Sequence, residues 1–179
     1  AYRVTELEYA LNLSGCRALV TAEHLKSSRY LEMLQRLAPE LATCKAGALQ
    51  SMRLPSLQMV IRLGDEKTPG MLNYAEVLET GRAAVDVAAL DALATGLSCF
   101  DAINIQFTSG TTGNPKGATL THHNVVNNAR FIAQAMGFSE ADSLCIPVPL
   151  YHCFGMVLAV LACVSTGAAM VFPGESFDP

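Results

Sequence analysis

The sequence is short of charge. Charged residues fill 16% of its 179 positions, against the quarter or so usual in soluble domains. It has no basic excess: 12 Lys and Arg stand against 16 Asp and Glu, a net charge of −4. That excludes a nucleic-acid module working through a phosphate-neutralising basic face. It has no long hydrophobic run. The most apolar stretch lies between Gly155 and Gly167, well short of the ~20 residues of a membrane-spanning helix, so no transmembrane segment is expected. Six cysteines, at 16, 44, 99, 145, 153 and 163, form no C-x-x-C pair and have no His at zinc-ligand spacing. A zinc site and a disulfide scaffold are both disfavoured. The cysteines read instead as reduced, mostly buried thiols in a reducing compartment. The N-terminus has neither an apolar leader core nor an Arg- and Ser-rich presequence. No repeat or low-complexity tract stands out.

Apolar residues, in contrast, make up 51%. That excludes a disordered chain, and the length suffices for a sizeable core. Low charge with high apolar content suits a piece of a larger α/β protein. Ala1 in place of Met, and an end at Phe177-Asp178-Pro179, agree with that expectation.

The first half reads as a βαβ unit. Residues 5–13 are a short helix stopped near Gly15, and 17–21 are a strand. Residues 25–38 read as a helix with Leu31, Leu34 and Leu37 on one side and Pro39 ending it. In 57–63, Leu57, Met59, Ile61 and Leu63 alternate with Gln58, Val60 and Arg62, the pattern of a strand. The charged turn 64–70 reads as solvated surface, and Asn73 and Asp86 as caps of helices 73–80 and 86–95.

The second half repeats the alternation. Strand 103–107 leads to a helix with Val125, Val126, Ala129, Ile132, Ala133 and Met136 on one face and Gly137 past its end. Strand 144–148, buried helix 156–165 and strand 168–172 follow. The expected fold class is α/β, a mostly parallel sheet with helices on both faces. Ligands of such sheets bind beyond the carboxyl ends of the strands. The loops 108–121 and 149–154 are expected there together, each running from a strand into a helix.

The first loop carries the chemistry. Thr108-Ser109-Gly110-Thr111-Thr112-Gly113-Asn114-Pro115-Lys116-Gly117 holds hydroxyls, glycines and one lysine, and no acid. Glycines admit backbone N–H groups close to phosphate oxygens, hydroxyls donate, and lysine supplies compact positive charge. A following helix N-terminus would favour the anion. A Gly- and Thr-rich surface hairpin is the plain alternative. Gly113 stands three residues before Lys116, and Gly117 follows the lysine, so a Walker A loop does not fit. No G-x-G-x-x-G occurs.

This stretch resembles the phosphate-loop signature of AMP-forming acyl-CoA synthetases and their adenylating relatives, [ST]-[ST]-G-[ST]-T-G-x-P-K-G, at every position. Pro149-Leu150-Tyr151-His152-Cys153-Phe154-Gly155 resembles that family's next motif, and the likeness extends over essentially the whole chain. Within the family it is strongest to mitochondrial medium-chain fatty acyl-CoA ligases, which implies the mitochondrial matrix. The resemblance implies a carboxylic acid activated by ATP to acyl-AMP, then transferred to coenzyme A. By the same likeness Thr108 to Lys116 would hold the β- and γ-phosphates, with Lys116 balancing charge on departing pyrophosphate. His152 would sit near the carboxylate and α-phosphate. It would not act as a general base, because the attacking carboxylate is already ionised. Phe154 and Gly155 would border the acyl pocket. His122 and His123 are explained by their place at a helix start.

Other family motifs are missing from the sequence: the glutamate that would bind Mg2+, the ribose-binding aspartate, and the C-terminal lysine. No residue of this chain is therefore assigned to a metal. The chain is expected to be part of the large N-terminal domain of an AMP-forming ligase, 1–100 its βαβ portion and 101–179 its phosphate-loop and acyl-pocket portion, with the C-terminal domain absent. It is expected to be inactive alone. Two alternatives stand: a non-catalytic nucleotide-binding module, and a sibling activating aryl or amino acids. No acid lies in 144–172 to pair a substrate ammonium, which favours a plain fatty or aryl acid.

Overall fold

The computed structural model describes residues 3–108 and 114–174. It is a mixed α/β fold with parallel strands, divided into two packed units: residues 1–95 with 107–117, and residues 96–106 with 118–179.

In the first unit, α1 (Val4–Leu13) begins with the Glu6 carboxylate accepting the Arg3 N–H. It ends where Gly15 turns to φ +61°, a conformation that costs other residues a Cβ clash. Strand β1 (Ala18–Thr21) follows. Next comes the first departure from the expected elements. Residues 25–29 are not helix: β2 (His24–Leu25) and β3 (Ser28–Arg29) form a small antiparallel hairpin, with Lys26 at φ +53° in its turn. Serines at 27 and 28 bond readily to nearby backbone and compete with helix. The helix proper, α2 (Tyr30–Leu37), starts later and buries Leu31, Leu34 and Leu37 as the apolar spacing predicts.

Strands β4 (Met59–Arg62) and β5 (Leu72–Asn73) complete a parallel sheet in the order β1-β4-β5, with Val20 opposite Ile61 and Ile61 opposite Leu72. Central β4 is covered on both faces. Val60 and Ile61 are both buried, while Leu63 is exposed, so the alternation read from 57–63 is that of neither face alone. Leu34, Leu37, Leu41, Leu54, Leu57 and Val60 are the fully buried centre of the core. Each contributes about 2 kcal/mol by leaving water. Arg62 is buried too. Its guanidinium donates to Thr68 Oγ1 at 2.7 Å and to Glu23 and Glu66 at 2.8 Å each. Helices α3 (Tyr74–Ala83) and α4 (Val87–Thr95) close this unit, capped by Asn73 and Asp86 as expected.

The second unit is built on β6 (Ala102–Phe107), β7 (Gly117–Thr121) and α5 (His122–Ala135). Strand β7 corrects the sequence reading. It pairs with β6, so the phosphate-loop segment joins two strands as a hairpin and does not lead straight into a helix. A connection this short can only join antiparallel strands. The Thr-Leu-Thr run at 119–121 supplies the β-branched residues that favour a strand there. Helix α5 is capped by Thr121, whose Oγ1 accepts the Asn124 N–H at 3.1 Å. Its buried ridge is Val125, Ala129 and Ala133, whereas Val126 and Met136, expected on that face, are half exposed.

Strand β8 (Ser143–Cys145) is shorter than expected, because Pro147 and Pro149 lack the N–H a ladder requires. It pairs in parallel with β9 (Ala169–Val171), Leu144 opposite Met170. The crossover between them is a π-helix (Phe154–Leu161) running into α6 (Ala162–Thr166) where one α-helix was expected. Val125 and Ala129 pack against Val157, with Leu120, Met156 and Leu161 around them. Among the described residues the strands form one three-stranded and three two-stranded sheets, so no common ladder joins the two loops.

All six cysteines are free, but the expectation that most are buried fails. Cys163 alone is buried, Cys16 and Cys44 are half-buried, and Cys99, Cys145 and Cys153 are exposed.

Candidate functional site

The phosphate-loop residues Ser109, Gly110, Thr111, Thr112 and Gly113 lie outside the described residues. The ends of the loop are defined. The Thr108 N–H donates to the Lys116 carbonyl at 2.9 Å. The Lys116 N–H donates back to Thr108 Oγ1 at 3.1 Å. Thr108, Asn114 and Lys116 are exposed and Pro115 is half-buried. Among the described residues the Lys116 ammonium pairs with no carboxylate, which leaves its charge available to an anion.

His152, Phe154 and Gly155 belong to the second unit, where a cavity of ≈ 550 Å³ opens between α5 and the π-helix. That size is ordinary for a small-molecule site, about 300–1,000 Å³. Leu120, Val125, Ile132, Phe154, Val157 and Leu158 give it an apolar wall, and Asn124, Asn128, His152 and Cys153 add polar atoms. Among the described residues no carboxylate lines it.

The resemblance implies Phe154 and Gly155 at an acyl pocket and His152 at the carboxylate; Phe154 and His152 line this cavity, and its other wall comes from α5. Asn124, Asn128 and Ile132 fall at steps of four along α5, one ridge over from the buried Val125, Ala129 and Ala133. The signal is present in that spacing, but Ile132 shares the apolar face of 125–136 in sequence and nothing there marks it as a cavity wall.

Gly155 does not line the cavity. It is buried against the turn before it, where an added Cβ would stand 2.5 Å from the Pro149 carbonyl oxygen. His152 is exposed, and its Nδ1 accepts the Phe154 N–H at 3.1 Å, with Cys153 Sγ 3.7 Å away. At the start of α5, the His123 N–H donates to the Cys99 carbonyl at 2.8 Å and its ring stacks on Phe100. His123 is thus a structural residue, held by more than its position at a helix start. Among the described residues no cluster of three or more His, Cys, Asp or Glu could hold a metal ion, and no helix is long and apolar enough to cross a membrane.

The structure thus groups the loop ends in one unit and the apolar cavity with its histidine in the other. Comparison with known proteins sets both in context. The chain is 43% identical to the mitochondrial medium-chain acyl-CoA ligase ACSF2 of Rattus norvegicus over 182 residues, 99% of this chain and 29% of that protein. It is likewise 43% identical to YngI of Bacillus subtilis over 178 residues, 32% of that protein. The chain therefore spans about a third of the length of the curated relatives it matches. Its fold matches the crystal structure of the anthranilate CoA ligase AuaEII in complex with anthranoyl-AMP, with a TM-score of 0.74 at 20% identity, over 98% of this chain and 29% of that one. The family model for the AMP-binding enzymes matches residues 1–179, and the chain belongs to that family.

Proposed function

We propose that the protein to which this chain belongs is a fatty acid–CoA ligase of the AMP-forming kind, acting on medium-chain acids. The observation that carries this is the carboxylate-free apolar cavity bordered by His152, in a chain that also holds the complete phosphate-loop signature. In the first half-reaction a carboxylate oxygen of the fatty acid bonds to the α-phosphorus of ATP. The bond to pyrophosphate breaks, giving acyl-AMP. In the second, the coenzyme A thiol loses its proton to solvent, its sulfur bonds to the acyl carbon, and AMP leaves with the electron pair of the broken carbon–oxygen bond.

Lys116 and the loop hydroxyls hold the polyphosphate, and the lysine meets the charge that grows on the leaving pyrophosphate. His152 meets the carboxylate end of the acid, and Phe154 with Leu158 meets its tail. Mg2+ would lower the polyphosphate charge; among the described residues no cluster of three or more His, Cys, Asp or Glu could hold it. Residues 1–100 and 101–179 are parts of one adenylate-forming domain in this reading. The name of the ACSF2 relatives supports a mitochondrial location, which this reading takes to be the matrix.

The test is ATP–pyrophosphate exchange by the full-length protein with acetate, octanoate, palmitate, benzoate and mixed amino acids, the 179-residue chain serving as control. Exchange that peaks at octanoate and is silent in the control is the expected result. A peak at benzoate would favour the aryl-acid sibling, for which the Asn128 amide on the cavity wall offers a polar contact. No exchange with any acid would leave a nucleotide-binding module.

A further inference from the structure

The turn that carries His152 is defined on both sides of the ring. Upstream, the His152 N–H donates to the Pro149 carbonyl at 3.3 Å. Downstream, the His152 carbonyl accepts the Met156 N–H at 3.0 Å as the π-helix begins. Within the turn, the Phe154 N–H points at Nδ1 of the ring, 3.1 Å away. A peptide N–H only donates, so Nδ1 can only accept. The proton of the neutral ring then stands on Nε2.

The turn reaches this geometry because the chain doubles back on itself. Gly155 lies against the backbone of Pro149 and Leu150, and a Cβ there would meet the Pro149 carbonyl carbon at 3.0 Å as well as its oxygen. Both neighbours are backbone and cannot step aside by changing rotamer. Any side chain at 155 therefore moves the 149–155 turn, and with it the Phe154 N–H that holds Nδ1.

We infer that Gly155 is a positioning residue for His152: by letting the Phe154 N–H reach Nδ1, it fixes the ring as the Nε2–H tautomer, a hydrogen-bond donor to the substrate carboxylate. This rests on the reading of His152 as the group that meets the carboxylate, and it specifies how. A ring whose Nδ1 is occupied and whose Nε2 is protonated has no free lone pair. It orients an anionic oxygen and takes no proton. Gly155 thus belongs to the site through His152, without touching the acid.

The tautomer is read directly. Two-bond 1H–15N correlation of the full-length protein, labelled with 15N-histidine, should show one ring with unprotonated Nδ1 and protonated Nε2, absent from His152→Asn. Wild-type protein with the proton on Nδ1 overturns the inference, whatever the kinetics. Gly155→Ala should convert that ring to a mixture of tautomers and lower kcat for exchange, with the KM for ATP unchanged. An unaltered ring spectrum and an unaltered kcat in Gly155→Ala overturn its positioning role. Should that variant fail to fold, two further variants decide. Glutamine at 152 can place an N–H near the Nε2 position, whereas asparagine offers Oδ1 to the Phe154 N–H but nothing beyond it. His152→Gln should therefore keep much more activity than His152→Asn, which should lose roughly 10- to 100-fold, the worth of one hydrogen bond to a charged group. Equal losses overturn the donor role. Wild-type protein without exchange on any acid would count against the ligase reading alone, because the ring spectrum needs no substrate.

Discussion

Thr108 and Lys116 hold each other across the base of the phosphate loop, N–H to carbonyl at 2.9 Å and N–H to side-chain oxygen at 3.1 Å. The second bond ties the lysine backbone to a hydroxyl that sequence reading assigned to the nucleotide. Thr108→Val removes that acceptor and should raise the KM for ATP several-fold, about 1 kcal/mol, while Thr108→Ser restores it. Lys116→Ala should slow exchange by about 10²-fold or more with a stability change within about 0.5 kcal/mol, because the side chain is exposed. A large drop in melting temperature with normal turnover would contradict the assignment.

Leu158 lines the cavity without belonging to the fully buried core. Leu158→Trp should therefore fill space more than it strains the fold. Each methylene kept out of the cavity costs the acid about 0.8 kcal/mol. The preferred acid should shorten, and kcat/KM for octanoate relative to butyrate should fall roughly 10-fold. An unchanged chain-length profile would show that the tail binds elsewhere.

Arg62 is buried, its side chain 8% exposed, while the partner carboxylates of Glu23 and Glu66 stand at 48% and 79%. Arg62→Met thus strands no buried charge on its partners and loses only the guanidinium bonds. Chemical denaturation should register a loss of about 1–3 kcal/mol. Arg62→Lys should recover part of it, since lysine keeps the charge but cannot hold three acceptors in one plane.

Asp142 accepts the Ser139 N–H at 2.7 Å and the Ser139 hydroxyl at 2.8 Å. These bonds favour its charged form and hold its carboxyl below the usual carboxylate range, the side-chain bond weighing most. A depressed folded value stabilises above the ordinary aspartate pKa and is lost as pH falls through the depressed one. Asp142→Ala should flatten that part of the acid unfolding curve, followed by circular dichroism against pH.

Much of this was legible in the residues. Asn73, Asp86 and Thr121 cap helices because their side chains reach the first free N–H groups, a local chemistry that composition displays. The leucine spacing of α2 was legible for the same reason. What was hidden depended on partners far along the chain. Arg62 reads as a solvent-facing residue until Glu23, 39 positions away, is brought beside it. Residues 117–121 form a strand only because β6 lies ready to pair with them. The cavity needed both α5 and the π-helix. Its polar wall, Asn124 and Asn128, resembled an ordinary solvated face until the second helix was in place.

The π-helix at Phe154–Leu161 has an implication for how such a site can diversify. A π-turn is an α-turn that has taken in one extra residue. Loss of one residue from this segment would let it relax to α-geometry, while Ala162 and Cys163, both at 0% exposure, stay anchored in the interior. Everything upstream of that anchor would rotate, and a different pair of side chains would replace Val157 and Leu158 before the cavity. A single-codon deletion could thus exchange the lining of the site in one step, with every surrounding residue unchanged.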